Sequence, residues 1–359
     1  MTLHILVIGD FFMRNEVLKY YLSKYLSEVD ENLDFQMIEW SMHGYQKGEA
    51  KGVYGKIQEF VGEPSDVAKR MDEVEVLVTH LAPVTSEVMD ASDRLKVIAC
   101  TRGGPINVDI AAATQRNIPV IYTPGRNDDA VADYTIGMIL AETRNIARSH
   151  EALKKGIWKD EFYDFDLCGY ELVGKTLGVV GFGHIGRKVA LRAKAFGMKI
   201  LVYDPYASKE GIAEFGGELV DFETLLRNSD FVTIHCRLTS ETEKLIGKKE
   251  LSMMKKTAYL INTARGKIVD EEALIEALRK KAIAGAALDV FAEEPLNNDS
   301  PLLSLDNVTI TPHIAGAAKD VVHRAARMVA EDIKRVLKGE RPIHCANPSV
   351  LQKLGKDYT

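Results

Sequence analysis

Short apolar runs alternate with helix-like amphipathic segments along almost the whole chain. This alternation is typical of α/β proteins with parallel sheets. The runs fall into two groups, and each group predicts one sheet. The first group comprises Ile5–Ile8, Val76–Thr79, Val97–Cys100 and Val120–Tyr122. The second group comprises Thr176–Val180, Lys199–Tyr203, Phe231–His235, Ala258–Ile261, Ala286–Val290 and Val308–Thr311.

The segments between and after these groups indicate how the two sheets are connected. Long helices are predicted at Asp129–Arg148 and Lys319–Leu337, and the second would return the chain to the first domain. Glycine-rich Ser41–Gly62 predicts a mobile loop with room for one short helix. We therefore expect two doubly wound, Rossmann-like or flavodoxin-like parallel-sheet domains with a cleft between them. One comprises residues 1–124, completed by 328–359, and the other comprises residues 125–327.

Composition narrows the class of protein. The 359 residues are 46% hydrophobic and 27% charged, with a formal net charge of −6, which is typical of a globular protein. Basic runs are short and lie on predicted helices, so we expect no nucleic-acid partner. No apolar run reaches membrane-spanning length and the first residues lack a basic signal-peptide region, so we expect no membrane partner and a cytoplasmic location. The cysteines are too widely spaced for a disulfide framework or a zinc site, and no metal is expected.

A glycine-rich turn follows the predicted strand Thr176–Val180 and precedes a helix. It reads G-x-G-x-x-G at Gly181, Gly183 and Gly186. The first glycine permits a tight turn, the second lets a pyrophosphate approach the backbone, and the third lets the helix pack closely on the sheet. Asp204 ends the next strand, 18 residues after Gly186, where a carboxylate binds ribose hydroxyls and repels a 2′-phosphate. The pattern predicts NAD rather than NADP, and an ordinary glycine turn without a nucleotide is the alternative.

Three residues with catalytic chemistry follow later strands of the second group. Arg265, Glu294 and His313 lie beyond the carboxyl ends of three predicted strands, the edge at which open parallel sheets bind ligands. Arg265 can clamp a carboxylate with two hydrogen bonds, and His313 can exchange the proton of a hydroxyl group. Glu294 can orient the imidazole and stabilise its protonated form. Taken singly, each could be an ordinary exposed loop residue, but together they suit oxidation of a 2-hydroxy acid.

Several runs resemble signatures of the D-isomer-specific 2-hydroxyacid dehydrogenases. They are Leu260–Gly266, Ala287–Phe291 with Glu294-Pro295, Thr311–Gly316, Ala99–Asp109, which resembles the substrate loop, and Asn127–Thr135, which resembles the start of the inter-domain helix. The resemblance implies a substrate-binding first domain and an NAD-binding second domain. It implies Arg265 as the anchor of the substrate carboxylate, His313 as the acid/base and Glu294 as its partner. It also implies that Asp289 holds the nicotinamide amide and that Arg102, Gly103 and Gly104 join Arg265 and His313 in binding substrate.

Further cofactor contacts are expected around these motifs. They are His184, Ile185, Cys236, Arg237, Thr242, Thr263, Ala264 and Gly316. Many members of the family have proline where Arg237 stands, so Arg237 either alters the cofactor fit or supplies a charge near the pyrophosphate. The aromatic-rich segment Ile146–Tyr170 is either a dimerisation arm, which would make the protein a homodimer, or a packed connector.

The family branch that looks closest is 3-phosphoglycerate dehydrogenase. The segment Thr79–Pro83 departs from that branch, because it lacks the arginine expected to meet a substrate phosphate. The expected activity is therefore interconversion of a small D-2-hydroxy acid and its 2-oxo acid with NAD. Hydroxypyruvate or glyoxylate reduction, formate or phosphite oxidation, and a corepressor-like NAD sensor without turnover are the alternatives. The loops around Gly44–Gly62, Thr79–Val84 and Arg102–Gly104 are expected to select the substrate.

Overall fold

The chain forms two compact α/β units in the computed structural model, which describes residues 2–40, 46–49 and 56–353. The first unit is formed by Met1–Asn127 and Ala317–Thr359, and the second by Asp128–Gly316. The main sheet of each unit is parallel, so the expectation of two parallel-sheet α/β domains is confirmed. The chain returns to the first unit between Gly316 and Ala317, before the helix Lys319–Lys338. The sequence analysis placed this boundary inside that helix, between residues 327 and 328.

The first unit has a five-stranded parallel sheet with the order β2-β1-β5-β6-β7. The strands, numbered along the chain, are β1 (Thr2–Asp10), β2 (Asn32–Trp40), β5 (Val76–Thr79), β6 (Val97–Cys100) and β7 (Val120–Ile121). Strands β3 (Gln46–Glu49) and β4 (Gln58–Phe60) form a separate antiparallel pair. The helices are α1 (Asn15–Leu26), α2 (Pro64–Ala68), α3 (Ser86–Asp90), α4 (Ile110–Gln115), α12 (Lys319–Lys338) and α13 (Ser349–Lys353).

Helix α12 belongs to the first unit because its apolar stripe packs there. Buried Val322, Ala326, Val329 and Ile333 recur at helical spacing on one face. They share one hydrophobic cluster with Leu18, Leu22 and Leu26 of α1 and with buried residues of β1. The helix ends at Gly339, whose φ of 77° suits glycine in a left-handed helix cap.

The second unit has a seven-stranded parallel sheet with the order β10-β9-β8-β11-β12-β13-β14. The strands are β8 (Thr176–Val180), β9 (Lys199–Tyr203), β10 (Gly217–Leu219), β11 (Phe231–Ile234), β12 (Tyr259–Asn262), β13 (Gly285–Leu288) and β14 (Val308–Ile310). The helices are α5 (Asp128–Thr143), α6 (Ile146–Lys154), α7 (His184–Ala195), α8 (Lys209–Ala213), α9 (Phe222–Asn228), α10 (Lys248–Met253) and α11 (Glu271–Arg279). The strand order reverses beside β8, and ligands of such sheets bind at that switch point.

The structure differs from the sequence expectation in three elements. The helix predicted at Asp129–Arg148 is two helices, because Asn145 adopts φ 55° and its side-chain amide donates to the carbonyl of Leu167 (3.0 Å). Asparagine tolerates this left-handed backbone since its short side chain bonds locally. Strands β2 and β10 were not predicted; both are edge strands, and β10 has only three residues.

The glycine-rich stretch Ser41–Gly62 lies partly outside the described residues. Positions 41–45 and 50–55 are not described, so the expectation of a mobile loop with a short helix is not addressed there. The described flanks contain the β3–β4 pair instead. At the end of the stretch, Gly62 has φ 81°, and a side chain there would collide with the Trp40 ring.

Candidate active site

The three glycines of the turn after β8 have different surroundings. Gly181 has φ 93°, and a β-carbon there would lie 2.5 Å from the backbone nitrogen of Cys236. A β-carbon on Gly186 would lie 2.2 Å from the carbonyl oxygen of Gly181, because α7 packs closely on the sheet. At Gly183 a β-carbon would meet nothing within 4 Å. The turn is therefore tight at its first and last glycine and open at the middle one, where a pyrophosphate needs space.

Asp204 follows β9 and is tied to the same turn. Its Oδ2 accepts a hydrogen bond from the backbone N–H of Phe182 (2.6 Å), and its Oδ1 accepts one from the N–H of Tyr206 (2.8 Å). A carboxylate has about four lone-pair sites, so two bonds leave capacity for ribose hydroxyls. The half-buried carboxylate thus lies beside the glycine turn, at the position required of a ribose-binding acid.

Helix α7 begins at His184, directly after the open glycine. Gly183 is its N-cap residue and makes no side-chain cap, and His184 Nδ1 lies 3.5 Å from the buried Asp128 carboxylate. The first N–H groups of a helix and its dipole favour phosphate groups. His184 is exposed and Ile185 is half-buried in the first turn. The turn and the helix start together fit the phosphate-binding part of NAD.

The segment after β11 carries the next expected cofactor residues. The N–H of His235 donates to the carbonyl of Val180 (2.7 Å), which holds this segment beside the glycine turn. Burial lowers the pKa of His235 to about 3 and raises the pKa of the Cys236 thiol to about 11, so both side chains are uncharged at neutral pH. Arg237 is exposed, and its carbonyl accepts a hydrogen bond from the Thr242 hydroxyl (2.6 Å).

The loop after β12 is held by Asn262. Its side chain accepts from the N–H of Ala264 (3.0 Å) and donates to the carbonyl of Arg265 (3.0 Å). The Thr263 hydroxyl lies 2.9 Å from that of Thr135 on α5. The Arg265 side chain is exposed and donates from Nη1 to the carbonyl of Ala264 (2.7 Å). The fixed backbone and the exposed guanidinium suit Arg265 to a carboxylate ligand.

Asp289 is fully buried after β13, and its carboxylate holds the turn that follows β14. Its Oδ1 accepts from the Thr311 hydroxyl (2.6 Å) and the N–H of Ile314 (2.9 Å), and its Oδ2 accepts from the N–H of Ala315 (2.8 Å). These bonds enclose His313, whose φ is 55°. A left-handed backbone costs a non-glycine residue about 1–2 kcal/mol, so the surrounding bonds must maintain it.

His313 and Glu294 form a close side-chain pair within the second unit. The His313 Nδ1 lies 2.7 Å from Glu294 Oε2, and Glu294 Oε1 accepts from the N–H of Phe291 (3.0 Å). The Glu294 side chain is 13% exposed and that of His313 is 43% exposed. The carboxylate is thus fixed while the imidazole stays open to a ligand. The carboxyl ends of β12, β13 and β14 carry Arg265, Glu294 and His313, and the expected histidine–carboxylate pair is present.

The expected substrate residues of the first unit follow β6. Arg102 is half-buried and pairs with the side chain and carbonyl of Glu59. A β-carbon on Gly103 would meet nothing closer than the Thr123 carbonyl oxygen (3.9 Å), and one on Gly104 would meet nothing within 4 Å. Gly316, the last expected cofactor residue, ends the second unit and is half-buried.

Sequence reasoning did not single out several residues whose side chains fix the local structure of each unit. Asn262 and Thr135 make their contacts through buried side chains, and in the first unit Asp10, His80 and Arg126 lie together at the carboxyl ends of its strands. Asn262 lies within the Leu260–Gly266 run and Thr135 ends the Asn127–Thr135 run, and these positions were signals that the sequence offered. The described residues contain no group of three potential metal ligands. Among the described helices, none is both long and apolar enough to cross a membrane.

Comparison with known proteins agrees with the geometry. Residues 136–315 match the family described as "D-isomer specific 2-hydroxyacid dehydrogenase, NAD binding domain". The glyoxylate reductase of Korarchaeum cryptofilum is 41% identical over 80% of this chain and 86% of its own length. The D-3-phosphoglycerate dehydrogenase of Methanocaldococcus jannaschii is 43% identical over 84% of this chain, which spans 59% of that relative.

A solved structure extends the likeness to both units. The apo-structure of D-lactate dehydrogenase from Escherichia coli superposes with a TM-score of 0.74 at 26% identity, covering 96% of this chain and 100% of that one. The matched family description covers half of the chain, and relatives above 40% identity cover most of it. The chain therefore belongs to the D-isomer-specific 2-hydroxyacid dehydrogenase family, the NAD-dependent enzymes that act on the CH–OH group of 2-hydroxy acids.

Proposed function

We propose that this protein interconverts a small D-2-hydroxy acid and its 2-oxo acid, with His313 as the acid/base, Glu294 as its partner and Arg265 as the anchor of the substrate carboxylate. The observation that carries the proposal is the pair of His313 Nδ1 and Glu294 Oε2, 2.7 Å apart beyond the strand ends of the NAD-binding unit. An exposed imidazole with one nitrogen committed to a fixed carboxylate is suited to proton exchange with a ligand.

The chemistry follows from which atoms are engaged. The glycine turn and Asp204 would hold NAD, which would supply the hydride acceptor for oxidation and, in its reduced form, the hydride donor for reduction. When Nδ1–H of His313 donates to Glu294, Nε2 is the nitrogen left for the substrate oxygen. In reduction C2 gains the hydride while Nε2–H of the imidazolium transfers its proton to the carbonyl oxygen, and the imidazole is left neutral. Arg265 holds the carboxylate so that C2 is correctly oriented, which is a proximity effect.

Cofactor choice is part of the proposal. Asp204 has acceptor capacity for ribose hydroxyls and would lie against a 2′-phosphate, so we propose that the enzyme uses NAD in preference to NADP. The residues Asp289, Thr263, Ala264, Cys236, Arg237, Thr242 and Gly316 are proposed to complete the cofactor contacts.

The substrate is proposed from the relatives and from the first-unit loops. Relatives named glyoxylate reductase and relatives named D-3-phosphoglycerate dehydrogenase match this chain at similar identity. Both names denote 2-hydroxyacid dehydrogenases of small substrates. We propose a 2-oxo acid in the same size range, seated by Arg102, Gly103 and Gly104.

Assembly into a homodimer is proposed from an exposed apolar segment. Trp158, Tyr163 and Phe165 are 76%, 95% and 90% exposed, and exposed apolar patches of this kind mark interaction sites. We propose a second copy of the chain as the partner. Sedimentation at micromolar concentration should give a dimer, and a monomer would refute this part of the proposal.

A cytoplasmic location is proposed as well. All four cysteines are free in the structure, which suits a compartment that keeps thiols reduced. Fractionation of cells that express the tagged chain would test it, and recovery outside the cytoplasm would contradict it.

The catalytic proposal is tested by steady-state kinetics on two variants. NADH absorbance is followed with glyoxylate, hydroxypyruvate and 3-phosphohydroxypyruvate. We expect His313→Ala to lower kcat by about 10²–10⁴-fold. We expect Arg265→Ala to raise KM by about 10- to 100-fold, since it removes a hydrogen-bonded charge pair. The exposed Arg279→Ala on α11 is the matched control. Wild-type turnover by His313→Ala would refute the mechanism, and NADH binding without turnover of any substrate would favour a sensor.

A further inference from the structure

Three adjacent strands of the second unit end side by side at the glycine turn. Strand β8 lies between β9 and β11, and Val180 is paired with Tyr203 on one side and with Ile234 on the other. Asp204 directly follows β9, and His235 directly follows β11. Because neighbouring strands are about 4.8 Å apart, the segments after β9 and β11 face each other across the turn at a separation of about 10 Å.

The segment after β9 contributes a negative charge. The Asp204 carboxylate accepts a hydrogen bond from the N–H of Phe182 (2.6 Å), the residue after the first glycine of the turn. On the opposite side, a β-carbon on Gly181 would lie 2.5 Å from the backbone nitrogen of Cys236. Burial, together with the charge of Asp204, raises the pKa of the Cys236 thiol to about 11. The electrostatic effect of Asp204 therefore extends to the β11 side of the turn, where the thiol itself is neutral.

The segment after β11 contributes a positive charge through Arg237. This residue is exposed, and its side chain makes no hydrogen bond or ion pair with any residue that the structure describes. Its carbonyl accepts from the Thr242 hydroxyl (2.6 Å), and that hydroxyl oxygen accepts from the N–H of Thr239 (2.8 Å). The loop thus holds the backbone of Arg237 in place, while the guanidinium is available to a ligand.

These two charges flank the position of the adenosine ribose. Asp204 is proposed to bind the ribose hydroxyls, so the 2′ position lies beside its carboxylate. In dinucleotide sites an acid at this position favours NAD, whereas an arginine near the ribose accommodates the 2′-phosphate of NADP. This chain has both groups, one on each side of the turn, and a long arginine side chain spans most of the distance between them.

We propose that Arg237 offsets the repulsion between Asp204 and a 2′-phosphate, so that the site binds NADP as well as NAD, with NAD preferred. This inference rests on the proposed NAD site and adds a second cofactor to it. The planar guanidinium matches phosphate oxygens with paired N–H donors. Of the two roles expected for Arg237, the proposal selects an altered cofactor fit over a charge at the pyrophosphate. The start of α7 already offers N–H groups to the pyrophosphate.

The test measures nucleotide binding without turnover. Fluorescence titration gives the Kd of the full-length wild type for NADH and for NADPH. Competition against NADH gives the Kd for AMP and for adenosine 2′,5′-bisphosphate, which contain the adenosine end alone. The members of each pair differ only in the 2′-phosphate, so the ratio of their Kd values isolates its contribution.

Three variants are compared with the wild type. Arg237→Gln removes the charge, Arg237→Lys keeps it, and Arg279→Gln on α11 is the exposed control in the same unit. The loop is held through the carbonyl of Arg237 rather than its side chain, so each variant should fold. Melting temperatures equal to that of the wild type check this expectation.

The wild type is expected to bind NADPH less than about 100-fold more weakly than NADH. Arg237→Gln should raise the ratio of the Kd for NADPH to the Kd for NADH about 5- to 10-fold, because it removes a charged partner of the phosphate at an exposed position. Arg237→Lys should stay within about threefold of the wild-type ratio, and Arg279→Gln should not change it. The adenosine pair should shift in the same way. Because salt screens exposed charges, the shift should shrink at about 0.5 M salt.

Three results would overturn the inference. An unchanged ratio in Arg237→Gln, or equal weakening of both nucleotides, would show that Arg237 does not act at the 2′ position. A wild type that binds NADPH more than about 100-fold more weakly than NADH would show that Asp204 acts without compensation. A wild type that does not bind NADH at all would refute the proposed NAD site, and this inference with it.

Discussion

Replacing Glu294 by glutamine separates the charge of the His313 partner from its shape. Glu294 uses one oxygen for the N–H of Phe291 (3.0 Å) and the other for His313 Nδ1 (2.7 Å). A glutamine keeps a single oxygen, which the Phe291 N–H would retain. The new amide N–H would then point at Nδ1 and require that nitrogen to accept. Neutral His313 would carry its proton on Nε2 and could no longer take one from a hydroxy acid.

The size of the effect can be worked from these contacts. Hydrogen bonds to charged groups contribute about 1.5–3 kcal/mol and neutral ones about 0.5–1.5 kcal/mol. Replacing the charged hydrogen bond by a neutral one therefore removes about 1–1.5 kcal/mol of stabilisation, because the pair is only partly exposed. The changed tautomer of His313 raises the barrier to proton transfer further. A total of about 2 kcal/mol corresponds to an approximately 30-fold fall in kcat for oxidation of the hydroxy acid. Reduction should fall less, because protonated His313 still donates from Nε2.

The assay is steady-state oxidation and reduction at saturating cofactor, with Glu293→Gln as the matched control. Glu293 is the exposed neighbour on the same loop, and its variant should retain wild-type kcat. NADH affinity and the melting temperature of Glu294→Gln should match the wild type. An unchanged kcat for oxidation would refute the assigned pairing. A parallel loss of NADH affinity would show that the residue acts on the cofactor instead.

Three further predictions concern the NAD-binding unit. Gly183→Ala should keep the wild-type melting temperature but raise the Kd for NADH at least about tenfold, because the new methyl group enters the open space of the turn. Gly186→Ala should instead lower the free energy of unfolding by about 1–3 kcal/mol, because its β-carbon meets backbone atoms. Equal melting temperatures of the two variants would contradict this contrast. Asp204→Asn should lower the preference for NAD over NADP by about tenfold in kcat/KM, since it removes the charge facing a 2′-phosphate; an unchanged ratio would exclude that role. Burial lowers the pKa of His235 to about 3 in the folded protein. Below about pH 6.5 the imidazole is therefore protonated in the unfolded chain but stays neutral in the folded one, so the free energy of unfolding falls as pH falls. Urea unfolding of the wild type should show that the free energy of unfolding falls by about 2 kcal/mol between pH 7 and pH 5, and His235→Asn should not show this fall. An identical fall in both proteins would refute the role of His235.

The fold class and the NAD-binding turn could be predicted because their signals are local. Apolar runs of strand length alternate with helical periodicity, and G-x-G-x-x-G is followed by Asp204 at the right distance. The strands of the second unit begin and end within one or two residues of their predicted bounds, apart from the short β10. The prediction of one continuous helix from Asp129 to Arg148 was wrong at Asn145. There a side-chain hydrogen bond to the Leu167 carbonyl accompanies the end of a helix that apolar periodicity alone would continue.

The sequence by itself therefore determined two parallel α/β units, the cofactor turn and the chemical identity of Arg265, Glu294 and His313. Only the tertiary structure decided how side chains from distant segments meet. Asp289 encloses the His313 turn, and Asp10 reaches His80 across 70 positions. Backbone preferences and turn chemistry act within a few residues, so they are readable along the chain. Contacts across a sheet edge depend on strand order and loop packing, which no short stretch of sequence specifies.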